Sequence, residues 1–194
     1  MPDSLGANPT PAQVATYLNA VRDDILFSVS TMPRLLVISA GSLSASGSLR
    51  LTAFTADKTL LANNVATLTN GAAGATPTLC RVGIYSVNEY TNDCTLIGST
   101  ANDTTLWAAG FTRYIKALSV ATQIMQGKRY AVGLLCVTGA AVPTFYGSGG
   151  VPAADSLVVP FVAASLASQS DLPSTIAGTS LAASGSAMYS RITS

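Results

Sequence analysis

The chain has 194 residues, of which 10% are charged and 48% hydrophobic, and it contains no histidine. Ten Lys and Arg against nine Asp and Glu leave a net charge of +1, which argues against a basic nucleic-acid grip. Without imidazole there is no Ser-His-Asp or Cys-His nucleophile and no histidine-ligated metal, and so apolar a composition excludes disorder.

This length predicts one domain with at most a short appendage. A surface so poor in charge must be covered by Ser, Thr, Asn and Gly, or be buried against other copies. The shortage of charge therefore points to an assembled protein.

Thr10-Pro11-Ala12-Gln13 has the pattern of a capping box, with Thr10 at the N-cap and Pro11 in the first helical position. Val14, Leu18, Val21 and Ile25 then recur at helical spacing, while Gln13, Asn19, Arg22 and Asp23 fall on the other face. About 17 residues make a helix too short to stand alone. It docks on its own domain, or it forms a stem that gathers copies or plugs into a larger particle. Residues 1–33 are thus expected to be a helical anchor or stem, with Val14, Leu18, Val21 and Ile25 as its contact stripe.

From Arg34 the apolar period changes to two. The expected strands are Arg34–Ser39, Ser48–Thr55, Thr59–Thr69, Thr78–Val87, Cys94–Ser99, Ile115–Leu118, Arg129–Thr138, Ser156–Val162 and Ala187–Ile192. Turn signals separate them at Gly41-Ser42, Ala56 to Lys58, Asn70-Gly71, Asn88 to Asp93, Gly127-Lys128 and Gly147 to Gly150. Many short strands at this spacing predict an all-β, antiparallel sandwich over residues 34–194. Tyr130 to Val137 is apolar on both faces, as a strand covered on each side requires. The Ala/Ser-rich stretch from Ala163 to Ser186 is expected to be an ordered, irregular cover ending in a strand.

The apolar runs have strand length, far below the roughly 18 residues of a membrane helix, so no membrane partner is expected. No basic region followed by an apolar one opens the sequence, so no secretory leader is expected. Cys80, Cys94 and Cys136 fit neither a disulfide framework nor a metal knuckle and read as small apolar fillers made in a reducing compartment.

Chemistry is sparse. Glu89, Asp93 and Asp103 are the clustered acids, but all lie in turns, where acids are usually solvated turn formers rather than a glycosidase pair. They also lack the run of oxygen ligands that calcium wants. Gly147-Ser148-Gly149-Gly150 lacks the lysine and helix of a phosphate loop. A cysteine nucleophile would have no imidazole base. No catalytic residue, metal or cofactor is therefore expected. Trp107, the sole tryptophan, is either a core aromatic or a platform for stacking on a sugar ring.

Four stretches carry a resemblance: TPTLCRVGIYSV at Thr76–Val87, LIGSTANDTTLW at Leu96–Trp107, GKRYAVG at Gly127–Gly133 and SDLPSTI at Ser170–Ile176. Together they resemble the jelly-roll-like β-sandwich domain of virion proteins of actinobacterial tailed phages. Such domains occur in minor tail, receptor-binding and head-fibre or decoration proteins. The resemblance covers about residues 34–194. It implies a non-enzymatic structural or attachment role, commonly as a homotrimer, with other virion proteins such as the major capsid or tail protein as partners. It also implies location on the capsid or tail surface, after synthesis in the host cytoplasm. The short helix without a shaft favours a capsid decoration or head fibre over a tail tip. The alternative is a lectin-like module that contacts host surface glycans through Trp107 or loop tyrosines.

Overall fold

The computed structural model describes residues 10, 11, 14, 27–37, 39–43, 45–71, 77–150, 155 and 157–194. Of the expected stem stripe, Leu18, Val21 and Ile25 lie outside these residues. At the foot of that helix, the Val14 amide donates to the Thr10 carbonyl at 3.0 Å, one helical turn beginning at the expected cap.

Among the described residues the structure is all-β. The strands are β1 Ser28–Ser30, β2 Ser39–Ser42, β3 Leu49–Thr55, β4 Leu60–Leu68, β5 Pro77–Val87, β6 Cys94–Ser99, β7 Arg113–Ile124, β8 Arg129–Thr138, β9 Thr144–Gly149, β10 Ala163–Leu166, β11 Thr175–Ile176, β12 Ala182–Ala183, β13 Ser186–Met188 and β14 Ser190–Thr193. They form three antiparallel sheets. A seven-stranded sheet runs β11-β6-β5-β8-β3-β10-β12, a four-stranded sheet β1-β14-β4-β7, and a three-stranded sheet β13-β9-β2. Bridges Thr100↔Leu118 and Thr69↔Phe145 stitch the sheets together at their margins. The result is a curled antiparallel sandwich.

The inner core lies between the sheets. Phe54, Val82, Ile84, Val132 and Leu134 of the large sheet meet Val29, Leu60, Val65, Ile124, Phe145, Met188 and Ile192 of the other two. A second core covers the large sheet's outer face, where Leu49, Leu51, Tyr85, Ala131 and Leu135 pack beneath Phe161, Ala164, Leu172, Ile176 and Leu181. Within the stretch Ala163 to Ser186, expected as an irregular cover, Leu172 and Leu181 do lie over this face, but Ala163–Leu166 and Thr175–Ile176 are strands of the large sheet itself. Together with Phe161 they explain why β8 is buried on both faces.

Glycine shapes this outer core. Gly83 and Gly133 stand opposite each other in the β5–β8 ladder. A Cβ on either would come within 3.0 Å of the Tyr85 ring, which lies across the pair. The bare backbone makes the seat for that ring.

Several expectations change. The boundary at residue 34 falls inside the sandwich, because Ser28–Ser30 pairs with Arg191–Thr193. Thr31 Oγ1 also donates to the Met188 carbonyl and accepts from the Ser190 amide, each at 2.9 Å. Arg34–Leu36 is a 3-10 turn rather than a strand, with the Leu36 amide on the Pro33 carbonyl and Leu35 and Leu36 exposed. The strand lies further on, at β2.

Of the expected strand Ser156–Val162, the described residues Leu157–Val162 form no regular strand. Pro160 has no N–H for a ladder, so only the Val162 carbonyl joins the sheet, accepting from Ala53, and pairing proper begins at Ala163. Gly147 to Gly150 is no loop, since β9 runs through it between β2 and β13. A Cβ on Gly147 would lie 2.0 Å from the Ala187 carbonyl, so glycine here admits a neighbouring strand. Ile115–Leu118 is the middle of a longer strand, β7. Arg129–Thr138 and Cys94–Ser99 form as expected.

Candidate functional site

Two surface regions concentrate exposed apolar and aromatic side chains. The first is the outer face of the four-stranded sheet. In the β14–β4–β7 register Arg191, Ala66 and Ile115 share one row, and Leu68 and Arg113 the next. Val65 packs in the inner core and Thr67 meets the buried Trp107, so these alternate rows face outward, with the short Ala66 side chain itself covered. Leu61 is 49% exposed and Ile115 55% exposed.

A groove of ≈ 320 Å³ runs along this face, lined by Val37, Ala66, Leu68, Arg113, Tyr189 and Arg191. Desolvation by burial lowers the pKa of the Arg191 guanidinium. Beyond the groove the β4–β7 ladder loses register, with Asn63 alone standing opposite Leu118 to Ala121. This wide bulge pushes Val120 out to 72% exposure.

The second region is one end of the sandwich, where the β5–β6 connection meets the β7–β8 turn. Ser86 to Tyr90 and Lys128 to Tyr130 line a cleft of ≈ 400 Å³ there. Asn88 organises the connection as an Asx turn: its Oδ1 accepts from the Tyr90 amide at 2.9 Å and from the Thr91 amide at 3.3 Å. The Asn88 backbone adds an amide bond to the Asp93 carbonyl and a carbonyl bond from the Asn92 amide.

Asn92 is buried with φ 62°, a left-handed conformation asparagine tolerates better than most residues. Its Nδ2 donates to the Leu157 carbonyl and its Oδ1 accepts from the Phe161 amide. The connection is thereby tied to the covering segment. Hydrogen bonds from the Gly178 amide and the Thr91 hydroxyl hold the Asp93 carboxyl below its usual pKa. From this braced turn Tyr90 projects, 87% exposed.

Arg129, beside it, donates to Thr55 Oγ1 and to the Phe161 carbonyl. Burial lowers its pKa, and the charge of Glu89 acts in the opposite direction. The cleft so offers an aromatic face ringed by Asn88, Glu89, Lys128 and Arg129.

Trp107 lies in neither region. It is fully buried, edge-on to Phe145 with ring centroids 4.9 Å apart, and its Nε1–H donates to Thr67 Oγ1 at 2.8 Å. A ring enclosed in this way has no face for a sugar, so the stacking role is corrected to a core role. Tyr90 is an exposed aromatic that sequence reasoning did not single out. Its position after Asn88 in an Asx turn was the available signal.

The acids are placed apart. Asp93 and Asp103 stand at opposite ends of β6. Asp103 pairs with Lys116 and accepts from the Thr105 amide and hydroxyl at 2.8 and 2.6 Å. The Lys116 ammonium and these donors bring its pKa down to about 2. Asn102 Oδ1 accepts from the Cys80 amide and its Nδ2 donates to the Thr78 carbonyl, which makes this side chain a brace for β5. Among the described residues no cluster of three or more Cys, Asp or Glu is placed to hold a metal. No helix among them is long and apolar enough to cross a membrane. No known family model matches the chain, and no curated protein matches its sequence.

Proposed function

We propose that this chain is a non-enzymatic structural protein of a phage virion, displayed on the particle surface as a homotrimeric capsid-decoration or head-fibre protein. The observation that carries the reading is the outer face of the four-stranded sheet. Leu61 and Ile115 stand exposed on it, beside half-buried Leu68, on a chain with only 10% charged residues. An exposed apolar stripe of this kind marks an interaction surface. The stripe lies in the sheet whose first strand, β1, follows directly on the N-terminal segment, so stem and face would gather the same copies. The sequence resemblance supplies the virion context.

Light scattering on the full chain tests the assembly, with a trimer expected at micromolar concentration. Leu18→Asp with Val21→Asp, and separately Leu61→Asp with Ile115→Asp, are expected to reduce the assembled mass. A wild-type monomer at all concentrations would overturn the reading. Cross-linking within purified particles then assigns capsid or tail.

The second reading is a glycan-contacting module, and Tyr90 is the observation that favours it. An exposed aromatic carried on a braced turn beside polar groups suits the face of a sugar. Glycan-array binding that disappears in Tyr90→Ala and survives in Leu61→Asp would support it. Absence of binding across the array would remove it.

A further inference from the structure

Cys80 on β5 and Cys136 on β8 are directly opposite in an antiparallel ladder. Both are free, buried thiols, with sulfurs 3.5 Å apart. The backbone shows which kind of pair they form. The Cys80 amide donates to Asn102 Oδ1 and its carbonyl accepts from the Asp103 amide, so neither group points at β8. The Cys136 carbonyl likewise turns away, accepting from the Gly47 amide at 2.9 Å. This is a non-hydrogen-bonded pair, where facing Cα atoms approach to about 4.5 Å. That spacing lies inside the range a disulfide spans, roughly 4.4–6.8 Å. Closing the bond needs about 1.5 Å of sulfur travel and no change of register.

We propose that Cys80 and Cys136 are an oxidisable dithiol that closes to an intramolecular disulfide, tying β5 to β8 across the centre of the large sheet. The oxidant is hydrogen peroxide. Cys136 sulfur attacks one peroxide oxygen and breaks the O–O bond, becoming a sulfenic acid as the first water leaves. Cys80 sulfur then attacks the sulfenic sulfur, gives up its proton, and displaces the hydroxyl as the second water. Two thiols and one peroxide become one disulfide and two waters.

The contact between the sulfurs suits this order, and the reverse order yields the same disulfide. The Cys80 S–H donates to Cys136, which favours the Cys136 thiolate and holds Cys80 protonated. Both residues lie near strand ends, Cys80 close behind Pro77 and Cys136 just before Thr138, where local opening admits a small oxidant most readily. Cys94 has no such neighbour: it faces Val87 and Ile176 across its two ladders, and burial raises its pKa to about 12. It serves as an internal control.

The folded full chain is treated with hydrogen peroxide, quenched, denatured and titrated for thiols, with intact mass and a non-reducing peptide map alongside. The thiol titre is expected to fall from the three free cysteines to one. The mass should drop by two hydrogens, with one linkage joining the peptides of Cys80 and Cys136. Dithiothreitol should reverse all three, and Cys94→Ala should oxidise as wild type does. An unchanged titre, oxygen addition without a linkage, or a bond involving Cys94 or a second chain would overturn the proposal. Wild-type protein suffices, so the test does not depend on a cysteine variant folding.

Discussion

The two broad sheets share an inner core, but their outer faces are treated differently. The seven-stranded sheet is roofed by Leu157 to Leu181, which buries Tyr85, Ala131 and Leu135 as thoroughly as the inner core buries Val132 and Leu134. The four-stranded sheet presents Leu61, Ile115 and a groove lined by Ala66, Leu68, Arg113 and Arg191. Strand composition follows the difference. β8 is apolar at nearly every position, whereas β7 alternates, with Lys116, Leu118 and Ile124 among its less exposed positions. The chain covers one outer face with its own C-terminal segment, and on our reading leaves the other for its copies.

If the roof is a true core, removing its largest filler should cost as much as removing an inner one. Phe161→Ala and Trp107→Ala are both expected to lose about 3–5 kcal/mol in urea unfolding. A loss below about 1 kcal/mol for Phe161→Ala alone would reduce the roof to a loose cover.

The clamp between roof and sandwich is Asn92. Asn92→Ala leaves the Phe161 amide and Leu157 carbonyl without these partners, and about 1–3 kcal/mol should be lost. Hydrogen exchange should rise at Phe161 before it rises in β8.

Acid tests the other end of β6. The folded pKa of Asp103, about 2, lies below its usual 3.8, so the native state binds this proton more weakly than the unfolded chain. Its contribution is therefore complete above about pH 4 and is lost as pH falls toward 2. Asp103→Asn should flatten that part of the stability-against-pH curve.

A smaller effect is expected within the roofed core. Tyr85 Oη is buried with no hydrogen-bond partner, and burial raises the pKa of the phenol. Tyr85→Phe should leave Tm unchanged or raise it, by up to about 1 kcal/mol of stability. Leu61→Asp and Ile115→Asp should move the stability of a dissociated subunit by no more than about 0.5 kcal/mol, while shifting the assembled mass. That contrast separates a face built for partners from one built for the fold.

Much of the fold could be read from local pattern. Local pattern located β3, β4, β5, β6 and β8 to within a residue or two, because each is an apolar-rich run bounded by turn residues. The two-sided burial of β8 was visible as an unbroken apolar run. The misreadings share a cause. β9 is rich in glycine, and its Gly147 answers to the backbone of Ala187, some forty residues later, rather than to a turn. β1 offers a single buried side chain, Val29, and becomes a strand by pairing with β14 at the far end of the chain.

The surface features divide in the same way. Composition and periodicity by themselves determined an all-β, charge-poor chain without histidine chemistry, since these depend only on which residues are present and how they alternate. Tertiary structure alone decided that Trp107 is interior and Tyr90 exterior, and that Cys80 faces Cys136. Each depends on which distant strands come together, and long-range pairing leaves no mark in the local sequence.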